Sequence, residues 1–443
     1  MKRFALCMVA LALLLNVCAT VALADDPYYE YVLFEDGTAQ LTRIKRGAPI
    51  IPHQIEGHLL TSIGDWALED VGFANVVIPD SVTHLGAFIL GRNEKVDSLV
   101  FPNTITRMDG PVFAPTGFGT KHTLLVVEPD NPYLALIDGA LFSKPDKRLI
   151  CVPQGGKNSW GDVVERYDVP EGIQIIGPYA FGAAKIGLVT VPHTVTEIRE
   201  YAFASSAIEY AQIDANITFI SDHCFENARR LVEFTIPDTV ASIGNYAFKG
   251  CEQLLEFTGH PGLTSIGDGA FMDCLRLWGI TLPEGLTHLG VEAFNGVAIG
   301  RIHIPSSLQE LDGNPFRELA NNLFTEPYYT IEVSEDNPRF KTIDGVLIDK
   351  QDERIVCYPY KAVQSYVVPD EIVAIGDCAF AGSYNRTLRI HSGVTYIADD
   401  AFIGCKSDLT LVVDLGSYAE AYAKEHNMLY TYEANDASWL MDE

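Results

Sequence analysis

The chain has 443 residues, 48% of them hydrophobic, and a formal charge of −28 from 59 acidic against 31 basic side chains. So acidic a surface repels phosphate backbones and anionic lipid, which argues against nucleic acid and direct membrane binding. At about 150 residues per domain the length suggests three domains, but an internal repeat overrides that expectation, because stacked repeats share no single globular core.

Lys2 and Arg3 precede an apolar run from Phe4 to Val17, broken only by Asn16, and Ala22-Leu23-Ala24 closes it with small residues. Residues 1–24 are therefore expected to be a secretory signal peptide, cut between Ala24 and Asp25. The run is short for a membrane span. Cys18 raises a lipoprotein anchor, but branched Val17 stands where such a signal wants a small residue. No later stretch is apolar enough to cross a membrane, so the mature chain is expected to leave the cytoplasm in soluble form. Residues 25–50 read as an N-terminal cap, with Tyr31–Glu35 and Thr38–Ile44 flanking a two-residue Asp36-Gly37 hairpin turn.

From there a phrase recurs, clearest from Leu231 to Cys251: LVEFTIPDTVASIGNYAFKGC. The slot before its glycine holds Ile63, Leu85, Met108, Ile176, Ile198, Ile220, Ile243, Ile266, Leu289, Leu311, Ile375 and Ile397, in steps of 22 or 23 residues within each block. A rung this short cannot bury its own Leu231, Phe234, Ile236, Val240, Ile243, Ala247, Phe248 and Cys251, so stacked rungs must bury them together. Phe234-Thr235-Ile236 alternates as a strand does, with Thr235 outward. Pro237, lacking an N–H, ends that strand. Gly244 is expected to permit a backbone turn, and the Ala-Phe pair to lie in short 3₁₀ or helical turns.

Residues 131–153 and 337–359 leave this register and match each other at an offset of 206. Each is expected to be a hairpin that continues the stack; in the first, Ala140–Ser143 and Arg148–Val152 flank a turn at Pro145-Asp146. The predicted organisation is repeats at 51–125, a hairpin insert at 126–165, repeats at 166–325, a second insert at 326–365, repeats at 366–412 and a C-terminal cap at 413–443. In that cap Ser417 and Glu420 form a capping box for a helix from Tyr418 to His426, burying Ala419, Tyr422 and Ala423.

The phrases Ile236-Pro237, Ile243-Gly244, Ala247-Phe248 and Cys251, the NPxF…DGVL…YP insert and the GSYAEAYAKEHN ending at 416–427 resemble the BspA-type (TpLRR class) leucine-rich repeats of bacterial surface and secreted proteins. The fold class expected is a β-rich leucine-rich-repeat solenoid: a right-handed superhelix of 22–23-residue rungs with short 3₁₀ or helical turns on the convex side, two β-hairpin inserts and terminal caps. The resemblance implies adhesion or binding of host and matrix proteins. It supplies no catalytic residues to carry over. The chain departs from the pattern at Asp214, His260 and His391 in the proline slot and at Asp109, Arg199 and Ser221 in the glycine slot.

Little else carries chemistry. Seven cysteines follow the signal segment. Cys251, Cys274 and Cys405 share a slot that holds Ala184, Ala228, Val297, Leu319 or Ser206 in other rungs, so buried free thiols are expected over disulfides or metal ligands. One Cys251–Cys274 bridge between neighbouring rungs stays open. Cys151 and Cys357 share an inward place in the inserts. The histidines, His84 and His288 included, read as solvated surface groups, and Gly155-Gly156 as a flexible turn. The sequons at Asn216 and Asn385 matter only in a glycosylating host.

What is left is a surface. One outward column runs Thr190, Gln212, Thr235, Thr258, Thr281, His303, and a second runs Tyr210, Glu233, Glu256, Gly279, Arg301. A threonine ladder stabilises exposed strands by itself, yet solenoids also present such faces for recognition. Tyr210, Glu233, Glu256, Arg301 and His303 are the expected ligand-binding residues. The function expected is a non-catalytic, secreted or cell-surface bacterial binding and adhesion module for an unknown extracellular protein or glycan. It is expected to be monomeric, with no cofactor, no metal and no membrane insertion. The alternatives are a passive self-associating surface protein and a secreted hydrolase on a repeat scaffold. The hydrolase lacks the 50–200 or so residues that a separate catalytic domain needs.

Overall fold

The computed structural model describes residues 23–432 apart from 46, 70, 73, 92, 94, 95, 115–122, 153–163, 183, 299, 318–329 and 360–364. They group into two compact units, Met1–Asn216 and Ile217–Glu443. The chain is a β-solenoid with very little helix.

In the second unit, Ile220, Ile243, Ile266, Leu289 and Leu311 lie on two-residue strands, each paired in parallel with the next. The first unit repeats this at Ile63, Leu85 and Met108 and at Ile176 and Ile198. Every ruler residue except Leu311 is buried. The next N–H donates to the ruler carbonyl one rung back, as from Gly244 to Ile220 (2.8 Å) and Gly267 to Ile243 (2.9 Å).

The glycine after the ruler position answers to close approach rather than to a turn. A Cβ on Gly267 would stand 2.4 Å from Asn245 Oδ1 and 2.9 Å from its backbone nitrogen. That side chain is fixed there because it accepts the Asp268 N–H at 2.8 Å. Asp222 and Asp268 cap Asn245 and Val291 in the same way, at 2.7 and 2.9 Å. Above residues without such an acceptor a side chain fits, which accounts for Asp109 above Ala87 and Arg199 above Pro178.

Behind the ruler runs an aromatic spine. Phe225, Phe248, Phe271 and Phe294 stack with centroids 5.2, 5.1 and 5.3 Å apart and rings within 4° of parallel. Phe181 and Phe203 do so in the first unit at 4.7 Å. The expected 3₁₀ or helical turns at the Ala-Phe pairs are absent among the described residues, where hydrogen-bonded turns stand instead. The reason is competition for donors. Tyr246, Phe248 and Gly250 send their N–H groups to Asp268, Ala270 and Met272 of the next rung, while Lys249 and Cys251 bond back to Tyr246 and Phe248. With alternate N–H groups committed between rungs, no helix propagates.

The histidines in the proline slot end their strands with a ring. His391 Nδ1 accepts the Gly393 N–H at 3.1 Å, and its Nε2 meets the Pro369 carbonyl at 3.0 Å. His260 Nδ1 accepts the Gly262 N–H at 3.1 Å.

Each insert has three strands, one more than expected: Leu134–Ile137, Ala140–Ser143 and Arg148–Cys151, and Phe340–Ile343, Val346–Asp349 and Arg354–Cys357. The extra strand forms because Asp138-Gly139 (φ +49° and +80°) and Asp344-Gly345 (φ +51° and +76°) make tight hairpins with both central residues left-handed. The last strand of each pairs in parallel with the following rung, Leu149 beside Ile176 and Ile355 beside Ile375. The inserts therefore take the ruler's place where the sequence register lapses.

At the N-terminal end Tyr29–Leu33 pairs with Ala39–Ile44. Its loop is three residues rather than two, closed by Phe34 N–H to the Thr38 carbonyl (2.9 Å), with Gly37 at φ +83°. Leu23–Asp25, which includes the last two residues of the expected 1–24 signal segment, adds an antiparallel strand there, while residues 1–22 lie outside the described residues. At the other end the helix is Tyr418–Glu425, with Ser417 Oγ accepting the Glu420 N–H and Ala419, Tyr422 and Ala423 buried. Hydrogen bonds from Lys424, Tyr432 and Gly416 hold the Glu420 carboxyl down at about 2.

Candidate binding face

The second strand of a rung alternates buried and exposed side chains most clearly in Tyr210–Ile213, Glu256–Thr258 and Arg301–Ile304. Outward side chains of neighbouring rungs stand side by side about 4.8 Å apart. In the second unit Glu256 lies opposite Gly279 and Thr258 opposite Thr281. Arg301 lies opposite Thr330 and His303 opposite Glu332, and Arg301 Nε reaches Glu332 Oε1 at 3.5 Å. These are two separate two-stranded sheets, so the expected column is not one ladder. Glu233, Glu256, Arg301 and His303 are all exposed. Tyr210 belongs to the first unit, 44% exposed and opposite Leu188.

Inward positions are nearly uniform here, with Phe257 opposite Ile280 and Ile302 opposite Ile331. Outward ones run through acid, glycine, base and hydroxyl. In the first unit the sheet of Asn75–Val77, Ser98–Phe101 and Leu124–Val127 turns uncharged side chains outward, with Val77 and Leu124 about 60% exposed. The outward strands of the second unit offer hydrogen bonds and charge, and that sheet of the first unit offers apolar contact.

Trp278 and Leu275 were not singled out from the sequence, yet they are 58% and 49% exposed beside this face. The available signal was slot substitution: Trp278 takes the place of Val232 and Leu255 in earlier rungs.

His84 and His288 are not the free solvated groups expected. His84 Nε2 meets Asp109 Oδ2 at 2.7 Å, and Arg107 Nε donates to Asp109 Oδ1 at 2.7 Å. Burial pushes the Asp109 carboxyl up, but His84 and Arg107 outweigh it and hold the carboxyl below its ordinary range. His288 lies 3.4 Å from Glu310 and 3.0 Å from Asp312. The cause is register, since a carboxylate one rung on reaches back over each ring.

No group of His, Cys, Asp and Glu able to hold a metal occurs among the described residues. None of the seven cysteines there is in a disulfide. Cys251, Cys274 and Cys405 donate S–H to the carbonyls of Phe225, Phe248 and Phe380 at 3.3, 3.2 and 3.1 Å, a backbone contact that suits sulfur to this slot. Burial raises the Cys251 and Cys274 thiols well above their ordinary value, so neither is a ready nucleophile. Asn385 is buried with its amide on Tyr358 Oη (3.2 Å), which closes that sequon to modification. Gly155-Gly156 and Leu319 lie outside the described residues.

Stacked parallel rungs, an inward ruler and a Phe spine define a leucine-rich-repeat solenoid. The BspA type leucine-rich repeat region, in six copies, matches residues 53–122, 162–277, 218–333 and 355–417, more than half of the chain. The chain belongs to that family, whose members are typically bacterial surface or secreted proteins and are generally non-catalytic. Similar solved structures include the pneumococcal vaccine antigen PcpA (17% identity, 63% of this chain and 81% of that one, TM-score 0.43). A leucine-rich cell surface protein from Faecalibacterium prausnitzii is another (18%, 94% and 96%, TM-score 0.37). The Treponema pallidum protein TpLRR is a third (17%, 62% and 89%, TM-score 0.23). No curated protein matches the chain. No helix among the described residues is long and apolar enough to cross a membrane.

Proposed function

We propose that this chain is an exported, non-catalytic adhesion module that engages an extracellular protein or glycan through the outward face of its longer strands. Residues 1–24 direct export in this reading, and the mature chain works as a monomer without a cofactor. The observation that carries it is the contrast between the two sides of the same strands. Phe257, Ile280, Ile302 and Ile331 repeat inward, while Glu256, Gly279, Arg301 and Thr330 differ outward. Core packing constrains the first set far more tightly than the second. Glu233, Glu256, Arg301 and His303 in the second unit and Tyr210 in the first are the assigned contact residues.

The test is an array of extracellular-matrix proteins, mucins and glycans probed with the purified chain. A hit should weaken about tenfold or more in Arg301→Glu or Glu256→Lys variants that still melt like the wild type. Hits unchanged by substitution at all five positions would overturn the assignment of this face.

A further inference from the structure

On three consecutive rungs of the second unit, Val232, Leu255 and Trp278 occupy one slot. The N–H of Leu255 donates to the Val232 carbonyl at 3.2 Å, and that of Trp278 to the Leu255 carbonyl at 3.1 Å. Val232 and Leu255 are half-buried, and the apolar row ends at the 58% exposed indole. Beside it runs a second row, Glu233, Glu256, Gly279. Glu256 lies opposite Gly279, and its Cγ is 3.1 Å from where a Gly279 Cβ would stand, so the missing side chain leaves Glu256 room beside Trp278.

Neither Glu233 nor Glu256 has an ion-pair partner among the described residues, although both are exposed. Nearby cations are engaged elsewhere: Arg229 Nε lies 3.4 Å from Glu252 and Lys249 Nζ 3.8 Å from Glu226, Arg276 Nη1 donates to Gln253 at 2.6 Å, and Arg301 pairs with Glu332. No lysine or arginine among the described residues lies over the Trp278 ring. An apolar row alongside an unneutralised acidic row fits a side chain that is aliphatic along its stem and cationic at its tip. An indole at the end adds attraction for that cation. A chain of net charge −28 draws such a partner in and repels anionic ones.

We propose that the strip Val232–Leu255–Trp278 with Glu233 and Glu256 is the docking site for a lysine- or arginine-rich segment of a partner protein. This rests on the binding role proposed above and names the partner's chemistry. The test is a titration of the full chain, at low ionic strength, with a lysine-rich peptide and with a glutamine-rich peptide of the same length. The lysine-rich peptide should bind the wild type and the glutamine-rich one should not. Trp278→Ala and Glu256→Gln should each weaken binding about tenfold. Trp278→Phe should keep part of it, and Asp370→Asn, which removes an exposed carboxylate elsewhere in the unit, should change it less than twofold. Equal binding by Trp278→Ala and wild type would overturn the proposal, as would a Glu256→Gln loss no larger than that of Asp370→Asn. Trp278-dependent binding of a neutral glycan, without the lysine-rich peptide, would overturn it while leaving the adhesion reading standing.

Discussion

The stretches 131–153 and 337–359 wind the same three strands around different buried polar groups. Both hang on an asparagine. Asn131 Nδ2 donates to the Pro102 carbonyl at 2.8 Å, and its Oδ1 accepts the N–H groups of Tyr133 and Leu134 at 2.9 and 2.6 Å. Asn337 Nδ2 donates to Pro305 and Leu308, and its Oδ1 accepts from Arg339 and Phe340. In both, a lysine reaches the asparagine carbonyl at 2.5 Å, from Lys144 and from Lys350. The interiors then diverge. In the first insert Ser143 donates to Asp146, which also pairs with Arg148 at 3.0 Å. In the second, Asp349 replaces the serine and is fully buried, and Arg339 replaces Tyr133 and grips it at 3.1 and 3.0 Å. The comparison teaches which contacts the backbone demands and which travel as a compensated set. Asparagine, Asp-Gly and lysine belong to the first class, and the buried carboxylate with its guanidinium to the second.

Removing the asparagine should do the most damage, and equally in both inserts. Asn131→Ala and Asn337→Ala each strand several buried donors and acceptors, so each is expected to cost roughly 3 kcal/mol in denaturant unfolding. Unequal losses would break the comparison. Arg339→Met removes both guanidinium hydrogen bonds to Asp349 Oδ2 and should cost about 2–3 kcal/mol. The double change Arg339→Tyr with Asp349→Ser imports the first insert's solution and should recover most of that.

Acid should separate the two inserts next. Burial pushes the Asp349 carboxyl up, but hydrogen bonds from Arg339 and the Gln351 N–H outweigh it and hold the carboxyl below 3.8. A carboxyl lowered on folding stabilises the fold above its unfolded value and loses that contribution as pH falls through the folded value. Amide protection of Val346–Asp349 and Arg354–Cys357, corrected for the intrinsic pH dependence of exchange, should therefore fall below about pH 4, before that of Ala140–Ser143 and Arg148–Cys151. Tyr133→Phe should have the smallest effect, under about 1 kcal/mol in thermal melts, because its hydroxyl meets Arg148 and the Met108 N–H only at 3.4 and 3.3 Å.

The parts legible in the sequence are those where burial repeats. Ile243, Ile266 and Leu289 line up because each must shield the next, and Ala419, Tyr422 and Ala423 share a helix face for the same reason. Backbone hydrogen-bond competition left no such mark. The Ala-Phe turns read as helical because their side-chain spacing hides where alternate N–H groups go. The third insert strand is hidden in the sequence because it depends on Asp138-Gly139 and Asp344-Gly345 each putting an aspartate as well as the glycine into left-handed backbone. The role of Gly267 depends on a side chain 22 residues earlier, Asn245. Of the binding face, the outward columns followed from alternation. Trp278 did not, since an exposed slot obeys no period and one rung's departure looks like noise.

Stacking of successive rungs is tested most directly by cross-linking. Thr258 and Thr281 are opposite neighbours in adjacent rungs, about 4.8 Å apart and within reach of a disulfide. Thr235 and Thr281 are two rungs apart, about 9.6 Å by the same spacing. None of the native thiols among the described residues is in a disulfide and all but Cys405 are buried, so they should compete little. Mild oxidation should close the Thr258→Cys/Thr281→Cys pair and leave Thr235→Cys/Thr281→Cys open. No bond in the first pair, or equally fast closure of the second, would contradict the account.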